Sequence, residues 1–347
     1  MRAVRKLAVW ILGAVFFLSG FLKLIDPVGT SLVFTEYFKF LHLPFLIPMS
    51  GLAGKAMSFF ETILGITIIT GVWRKIAAIA SGAVMLFFTG LTLALYIVNP
   101  EMSCGCFGEA IHLTHAQSFY KNIILDILWI LAFIPFKKMG RPEKIKYVSF
   151  GIATGLVVLY TVNSWLSVPA ADFTPMAVGA ELMHPQADFV SGAPVLSFCD
   201  MDGEYVDSLA LDGRVLAVSV YDPAKLTPAS RKRVMEFVGD ASRLDVRRTN
   251  VLLLQPFASP VPDSLASHAY YADRRILMTL NRSNGGLTYI NDGQIVRKWS
   301  RIMLPDLEEI PSMLRDDPVD VLISGSTGPK IRVQAFVVII FAIMLIL

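Results

Sequence analysis

Five long apolar runs fill the first half of the chain and constrain its fold more than any other feature. They cover residues 7–25, 52–73, 76–98, 119–136 and 147–168, and a helix needs about 20 mostly apolar residues to cross a bilayer. The 347-residue chain is 54% hydrophobic and 17% charged, with a mean hydropathy of +0.58. That composition is too apolar for a soluble protein of this length. The sequence therefore predicts an α-helical membrane protein whose main partner is the lipid bilayer.

Lysine and arginine alternate between successive connections, and this pattern orients the predicted bundle. Basic residues precede the first run, join the second to the third and join the fourth to the fifth: Arg2, Arg5, Lys6, Arg74, Lys75, Lys137, Lys138, Arg141, Lys144 and Lys146. The two opposite connections, residues 26–51 and 99–119, contain only Lys39. Because basic loops stay in the cytoplasm, we expect a cytoplasmic amino terminus and an external loop at residues 99–119.

The chain changes character after the fifth run. Residues 170–328 are more polar, and short apolar segments alternate there with glycine-containing turn signals. Strands are predicted at residues 195–199, 215–221, 251–255 and 287–291, and a helix at 230–238. Strands mixed with a helix predict an α/β domain, which the charge pattern places outside the cytoplasm.

The last part of the chain is apolar again. Residues 335–347 are thirteen apolar residues, which as a helix reach only about 20 Å across a hydrocarbon core of about 30 Å. We therefore expect a short or truncated sixth transmembrane helix over residues 331–347.

Two cysteines separated by one glycine are the main chemical signal. Cys104 and Cys106 lie in the predicted external loop, and Cys199 is the third cysteine of the chain. A close pair outside the cytoplasm is suited to a reducible disulfide. Two alternatives stay open. One is a static loop closure or a pair of idle thiols, and the other is a tetrahedral metal site completed by His112 and His115.

Three of the charged residues inside the predicted spans are candidate functional positions. Glu61 lies near the middle of the second run, Lys23 near the outer end of the first and Asp126 in the outer half of the fourth. Charges inside a membrane are costly and mark candidate functional positions. We expect a polar pocket beneath the cysteine loop, in which Glu61 or Asp126 moves protons. In the alternative, Lys23 extends to the interface and the carboxylates only fix helix packing.

Residues 1–140 resemble the DoxX/MauE-like membrane proteins. The matching motifs are Ser19-Gly-Phe-Leu-Lys-Leu-Ile-Asp-Pro27, Phe60-Glu61, Gly71-Val-Trp-Arg-Lys75 and Cys104-Gly-Cys-Phe-Gly108. The resemblance implies a four-helix DoxX/MauE-like domain in a bacterial inner membrane, with residues 141–169 forming a fifth helix. MauE belongs to methylamine utilisation and is required to mature a disulfide-rich dehydrogenase subunit. A role in thiol redox or in maturation of extracytoplasmic proteins is therefore implied.

Residues 170–328 resemble a thioredoxin-like domain. The matching segments are Ala193-Pro-Val-Leu-Ser-Phe-Cys-Asp-Met-Asp-Gly203, Leu211-Asp-Gly-Arg-Val-Leu-Ala-Val-Ser-Val220 and Thr288-Tyr-Ile-Asn-Asp-Gly-Gln-Ile-Val296. Where that family carries Cys-x-x-Cys, this chain has Tyr221-Asp-Pro-Ala-Lys-Leu226. The domain therefore lacks a nucleophile there and is expected to bind a client or partner, with Cys199 as a core residue.

Three functions follow from these patterns. The first is a membrane thiol–disulfide oxidoreductase that uses Cys104 and Cys106, with a lipid-phase quinone as candidate electron acceptor. The second is a non-catalytic, membrane-anchored binding or maturation factor for an extracytoplasmic protein client. The third is an extracytoplasmic metal-binding protein. Nucleic acid is not an expected partner, because no basic patch interleaved with aromatic residues occurs.

Overall fold

The structure is a computed structural model, and it divides into two compact units that we describe separately. The described residues are 2–134, 142–183, 194–244, 248–257 and 259–346. The first unit comprises Met1–Ser164 and Gln334–Leu347, and the second comprises Trp165–Val333. The predicted boundary between residues 140 and 141 lies outside the described residues.

The first unit is helical. Among the described residues its helices are α1 (Arg2–Ile25), α2 (Pro27–Phe40), α3 (Ser50–Thr70), α4 (Arg74–Val98), α5 (His115–Phe133) and nearly all of α6 (Lys144–Leu166). Five helical segments among the described residues are long and apolar enough to cross a membrane: Ala3–Ile25, Pro44–Thr70, Arg74–Val98, Lys144–Leu166 and Pro318–Ile346. The predicted α-helical membrane region is therefore confirmed.

Two of the predicted spans differ in the structure. The described part of α5 is not among the five segments, and it carries Lys121 and Asp126 within its 19 residues. The final helix is longer than predicted, because α10 runs from Pro318 to Ile346, a length of 29 residues. The sequence pattern missed its first half because residues 318–334 include charged and polar side chains.

A helix that the sequence did not predict follows α1 directly. Asp26 accepts a hydrogen bond from the Gly29 amide (Oδ1 to N, 2.9 Å), and Pro27 occupies the first turn of α2. A capping aspartate followed by proline at the first helical position is a helix-start pattern. Asp26-Pro27 therefore begins α2 as well as ending α1.

Helices α1 and α3 approach each other closely. A Cβ atom added at Gly65 would lie 2.3 Å from the backbone nitrogen of Phe17, so only glycine fits at this crossing. Small residues allow such close contact between membrane helices. The crossing brings the polar face of α1 near Ser19 and Lys23 against Glu61 of α3.

The second unit contains a five-stranded mixed sheet. The strands are β2 (Arg214–Ser219), β3 (Thr249–Gln255), β4 (Ala269–Tyr271), β5 (Gly286–Asn291) and β6 (Gln294–Trp299), in the order β4-β3-β2-β5-β6. β2 is parallel to β3 and antiparallel to β5, β3 is parallel to β4, and β5 is antiparallel to β6. The unit also contains helices α7 (Pro228–Ala241), α8 (Arg274–Leu280) and α9 (Ile310–Met313) and the first part of α10.

The predicted α/β class is confirmed, and a thioredoxin-like arrangement is consistent with this sheet. Alternate residues of β2 pack into two separate cores, with Leu216 and Val218 on one side and Val215 and Ala217 on the other. One predicted strand is wrong. Residues 195–199 form no strand, and Cys199 makes only isolated bridges.

Candidate functional site

The cysteine pair lies in the connection between α4 and α5, where Cys106–Glu109 forms the short segment β1. Both cysteines are free thiols, and their Sγ atoms are 3.1 Å apart. Gly105 (φ +58°) and Gly108 (φ +62°) both have the left-handed backbone conformation that favours glycine. The Gly108 amide donates to the Gly105 carbonyl (3.1 Å). This turn places the two sulfurs on the same side of the loop.

The two thiols have different surroundings. Cys104 is 1% exposed and packs in an apolar cluster with Val33, Tyr37, Leu91 and Leu95. The Tyr37 hydroxyl donates a hydrogen bond to the Cys104 carbonyl. Cys106 is partly exposed and packs at the edge of the same cluster. Access to the pair from solvent is therefore expected to be through Cys106.

A buried ion pair lies next to the cysteine loop. Lys23 Nζ is 2.6 Å from Glu61 Oε2, and both side chains are 5% exposed. The Ser19 hydroxyl is 2.7 Å from the Cys106 carbonyl oxygen and 3.1 Å from Glu61 Oε2, so it can donate to either one. Ser19 thus links the ion pair to the backbone of Cys106, and Lys23 does not extend to an interface.

The thiol pKa values are shifted in opposite directions. The pKa of Cys106 is lowered to about 6, mainly because the Cys104 thiol donates a hydrogen bond to it. The positive charges of Lys121 and Lys23 lower this pKa further, whereas burial of Cys106 raises it. The pKa of Cys104 is raised, because its proton is held in that hydrogen bond and because burial disfavours its thiolate. Both shifts favour a Cys106 thiolate beside a neutral Cys104 thiol in the reduced pair.

The structure does not bring Asp126 into this site. Asp126 accepts a hydrogen bond from Thr89 (Oγ1 to Oδ2, 2.8 Å), and one turn away Asn122 donates to Thr92 (3.1 Å). Both bonds join α5 to α4. The predicted pocket of three charges is thus reduced to Lys23 and Glu61, and the contact of Asp126 supports a packing role.

The two histidines are not assembled with the cysteines either. His112 is exposed, and His115 Nε2 contacts the Pro100 carbonyl oxygen at 3.0 Å. Within the described ranges, no three or more His, Cys, Asp or Glu side chains are grouped in a way that could hold a metal ion. The metal alternative therefore gains no support from the geometry.

Comparison with known proteins identifies the region that holds this site. Residues 1–135 match the family model described as Methylamine utilisation protein MauE. This match supports the assignment of residues 1–135 to the MauE-like membrane family. No curated protein and no solved structure matched the chain. The matched MauE region contains Lys23, Glu61, Cys104, Cys106 and Asp126, and it ends before the α/β domain.

Three residues of the MauE region contribute to the site without having been singled out from the sequence. Ser19 links Glu61 to Cys106, Tyr37 holds the Cys104 carbonyl, and Lys121 places its ammonium 4.9 Å from the centre of the Phe107 ring. Ser19 and Lys23 are one helical turn apart, which puts both on one face of α1. That spacing was a usable signal for Ser19, whereas Tyr37 and Lys121 depend on tertiary contacts.

The Gly105→Ala variant tests the loop geometry of the MauE region. A Cβ atom at residue 105 would lie 2.3 Å from Val33 Cγ1, and the residue would keep a positive φ. We expect a loss of roughly 1–3 kcal/mol in stability from backbone strain and overpacking, with slower oxidation of the cysteine pair. Thermal unfolding and thiol oxidation rates measure both effects.

Gly51→Ala is the matched control, since a Cβ atom there meets no atom within 4 Å. A Gly105→Ala variant that behaves like Gly51→Ala would contradict the proposed role of the turn.

The α/β domain has ion pairs where the resemblance would place redox cysteines. Asp222 Oδ2 is 2.9 Å from Arg274 Nη2 and 3.4 Å from Lys225 Nζ, and the Tyr221 hydroxyl donates to the Arg282 carbonyl (3.3 Å). Residues 221–226 therefore form a polar, hydrogen-bonded segment without a thiol.

Cys199 is expected to be chemically inert in the folded protein. Its side chain is 2% exposed, its Sγ is 3.6 Å from the Tyr271 carbonyl oxygen, and its pKa is raised by burial. In a Cys104→Ser/Cys106→Ser variant, a maleimide should label Cys199 only after denaturation. Rapid labelling of the folded variant would show that this thiol is accessible and would contradict the prediction.

Proposed function

We propose that this protein is a multi-pass protein of a bacterial inner membrane that performs thiol–disulfide exchange through Cys104 and Cys106. Its client would be a disulfide-containing protein that matures outside the cytoplasm. The observation that carries the proposal is the pair of free thiols 3.1 Å apart. A disulfide bond of about 2.05 Å can form between them with a small movement of the loop.

The proposed cycle balances as a two-electron exchange. The oxidised Cys104–Cys106 pair accepts two electrons from a client dithiol, so that the client gains a disulfide and the pair becomes reduced. A quinone in the lipid phase then takes two electrons and two protons from the pair and becomes a quinol. The pair returns to its disulfide form, and no other reactant is needed.

Glu61 is the proposed proton carrier for the re-oxidation step. Oxidation of two thiols releases two protons, and Glu61 is separated from the Cys106 backbone by the Ser19 hydroxyl alone. Lys23, at 2.6 Å, supplies the positive charge that balances Glu61 when it is ionised. Asp126, which contacts Thr89, is the weaker candidate for this role.

The positive-inside pattern supports a topology for this cycle. Basic residues flank the connections on one side of the bundle, and residues 99–119 contain none. The cysteine loop and residues 170–328 would then face the periplasm, with the amino terminus in the cytoplasm. The α/β domain, which has no thiol at residues 221–226, would bind the client rather than oxidise it.

The thiol state of the full-length protein tests the proposal. A Cys199→Ser variant in lipid nanodiscs would be reduced, exposed to a short-chain quinone, alkylated and measured by mass spectrometry. We expect two alkylated thiols before quinone addition, none after it, and two again after re-reduction. Thiols that stay reduced with every quinone tested would overturn the redox function.

A non-catalytic maturation factor is the second candidate, favoured by the absence of a thiol at residues 221–226. In that case serine variants at Cys104 and Cys106 would still support maturation of the client. Metal analysis of the same preparation gives a third outcome. Bound zinc or copper that is lost in both serine variants would replace the redox proposal with a metal site.

A further inference from the structure

The cysteine pair is chemically asymmetric, and the asymmetry assigns separate roles to its two sulfurs. We propose that Cys106 is the sulfur that exchanges with the client, that Cys104 is the internal sulfur, and that Lys121 is the positioning residue that holds Cys106 as a thiolate. The assignment rests on the thiol–disulfide function proposed above and adds the order of the exchange and its direction.

Access separates the two sulfurs. Cys104 is 1% exposed, with Val33, Tyr37 and Leu95 around it. Cys106 is partly exposed at the edge of that cluster. A client thiolate must approach a disulfide sulfur along the bond that it breaks, so a sulfur enclosed by apolar side chains is poorly placed for attack. The external reaction is therefore assigned to Cys106.

Lys121 is the positive charge that is free to act on Cys106. It lies two turns into α5, and its ammonium lies over the ring of Phe107, the residue that follows Cys106 (Nζ to ring centre, 4.9 Å). In the described part of the chain, no carboxylate lies within ion-pair distance of Lys121, whereas Lys23 is paired with Glu61 at 2.6 Å. Lys121 is therefore the cation whose charge is available to a thiolate.

The charged and titratable groups around Cys106 agree with this assignment. The groups that act on the thiol pair are Lys121 on α5, Lys23 on α1 and Tyr37 on α2, while Glu61 on α3 acts on Tyr37 and pairs with Lys23. The Cys104 hydrogen bond and the charges of the two lysines lower the pKa of Cys106, and the charge of Lys121 has a larger effect than that of Lys23. Lowering this pKa favours the thiolate, which is the form that reacts.

The same contacts set the direction of the exchange. A client thiolate attacks Cys106 Sγ, the Cys104–Cys106 bond breaks, and Cys104 leaves and takes up a proton. The second client thiolate then attacks the client sulfur of the mixed disulfide. The client disulfide forms and Cys106 leaves as a thiolate. A low thiol pKa makes a good leaving group and stabilises the reduced pair, so the pair is poised to oxidise its client.

Competitive alkylation of the reduced, full-length Cys199→Ser protein tests the order of the sulfurs. With iodoacetamide at limiting concentration and pH 7, peptide mass spectrometry should find Cys106 modified roughly tenfold faster than Cys104. Equal labelling, or faster labelling of Cys104, would overturn the assignment. Because the measurement starts from reduced thiols, its result does not depend on re-oxidation of the pair by a quinone. The assignment of the two sulfurs and the proposed function can therefore fail separately.

The pH profile of Cys106 alkylation tests Lys121. In Lys121→Ala we expect the profile to move to higher pH, with a rate at pH 6.5 roughly three- to tenfold below the wild type and an equal rate near pH 10. Lys121→Arg should restore the wild-type profile, because it keeps the charge. A merely structural role would change the rate at every pH and would not be rescued by arginine.

Lys39→Ala is the matched control for loss of a lysine. Lys39 is an exposed lysine of α2, and it pairs with Glu36 at 3.1 Å. Its removal should leave the profile unchanged. An unshifted profile in Lys121→Ala, or an equal shift in Lys39→Ala, would overturn the role given to Lys121.

Discussion

Replacing Glu61 by leucine is expected to destabilise the helical unit by about 3–5 kcal/mol, because the change leaves a buried ammonium without its counter-charge. Lys23 and Glu61 are each 5% exposed, and Lys23 Nζ is 2.6 Å from the carboxylate. In Glu61→Leu, Lys23 would retain only the Ser19 hydroxyl at 3.3 Å among its direct hydrogen bonds in the described structure. Thermal unfolding of the purified variant in detergent measures the loss.

The double variant Lys23→Met/Glu61→Leu is the control for this prediction. Replacing both members of a buried ion pair by apolar residues of similar size is often neutral or stabilising. The double variant should therefore recover most of the stability that Glu61→Leu loses. If the double variant is as unstable as Glu61→Leu alone, the loss comes from packing and not from an unpaired charge.

Glu61→Gln separates the structural role of the carboxylate from a role in proton transfer. The amide keeps an oxygen that can accept a hydrogen bond from Lys23, so its effect on stability should be smaller than that of leucine. It cannot take up and release a proton near neutral pH. If Glu61 carries protons, Glu61→Gln should be stable and slow in quinone-dependent oxidation. A fully active Glu61→Gln removes Glu61 from the mechanism.

Much of this site could be predicted from the sequence, because its strongest signals are local or are forced by the bilayer. A run of about 20 apolar residues has few alternatives to a spanning helix, and Glu61 and Lys23 stand out against such runs. The close spacing of Cys104 and Cys106 made their contact predictable, and the structure gives 3.1 Å between the sulfurs.

The features of the site and the fold that could not be predicted depend on contacts between segments distant in the sequence. Asp126 was grouped with Glu61 by its expected depth, but the packing of α5 directs it to Thr89 of α4. No local sequence pattern distinguishes Lys121, because its contact with the Phe107 ring is formed only in the folded protein. Residues 195–199 carry a strand-like pattern, yet only Cys199 finds a bridging partner. Apolar burial alone produces the same pattern.

Serine at either position of the cysteine pair is expected to abolish quinone-dependent oxidation of a reduced dithiol peptide. A hydroxyl group cannot form the internal disulfide, so neither variant can complete the two-electron cycle. Cys199→Ser should oxidise the peptide at the wild-type rate, because Cys199 is buried and its thiol donates a hydrogen bond to the Tyr271 carbonyl. Turnover is followed by the absorbance of the quinone and by the thiol content of the peptide.

The two serine variants should differ in the amount of disulfide-linked complex that each forms with the peptide. With the peptide supplied in its disulfide form, the Cys106 thiolate of Cys104→Ser can attack the peptide disulfide, but the variant lacks the internal sulfur that would release the mixed disulfide, so disulfide-linked complexes with the peptide should accumulate. Cys106→Ser retains two buried thiols, Cys104 and Cys199, and should accumulate few complexes. Non-reducing electrophoresis compares the amounts of complex that the two variants form.

Turnover that survives in both variants would exclude the pair from the reaction. Complexes that form mainly in Cys106→Ser would keep the redox function but reverse the roles of the two sulfurs, because the exchanging sulfur must be the one that remains linked.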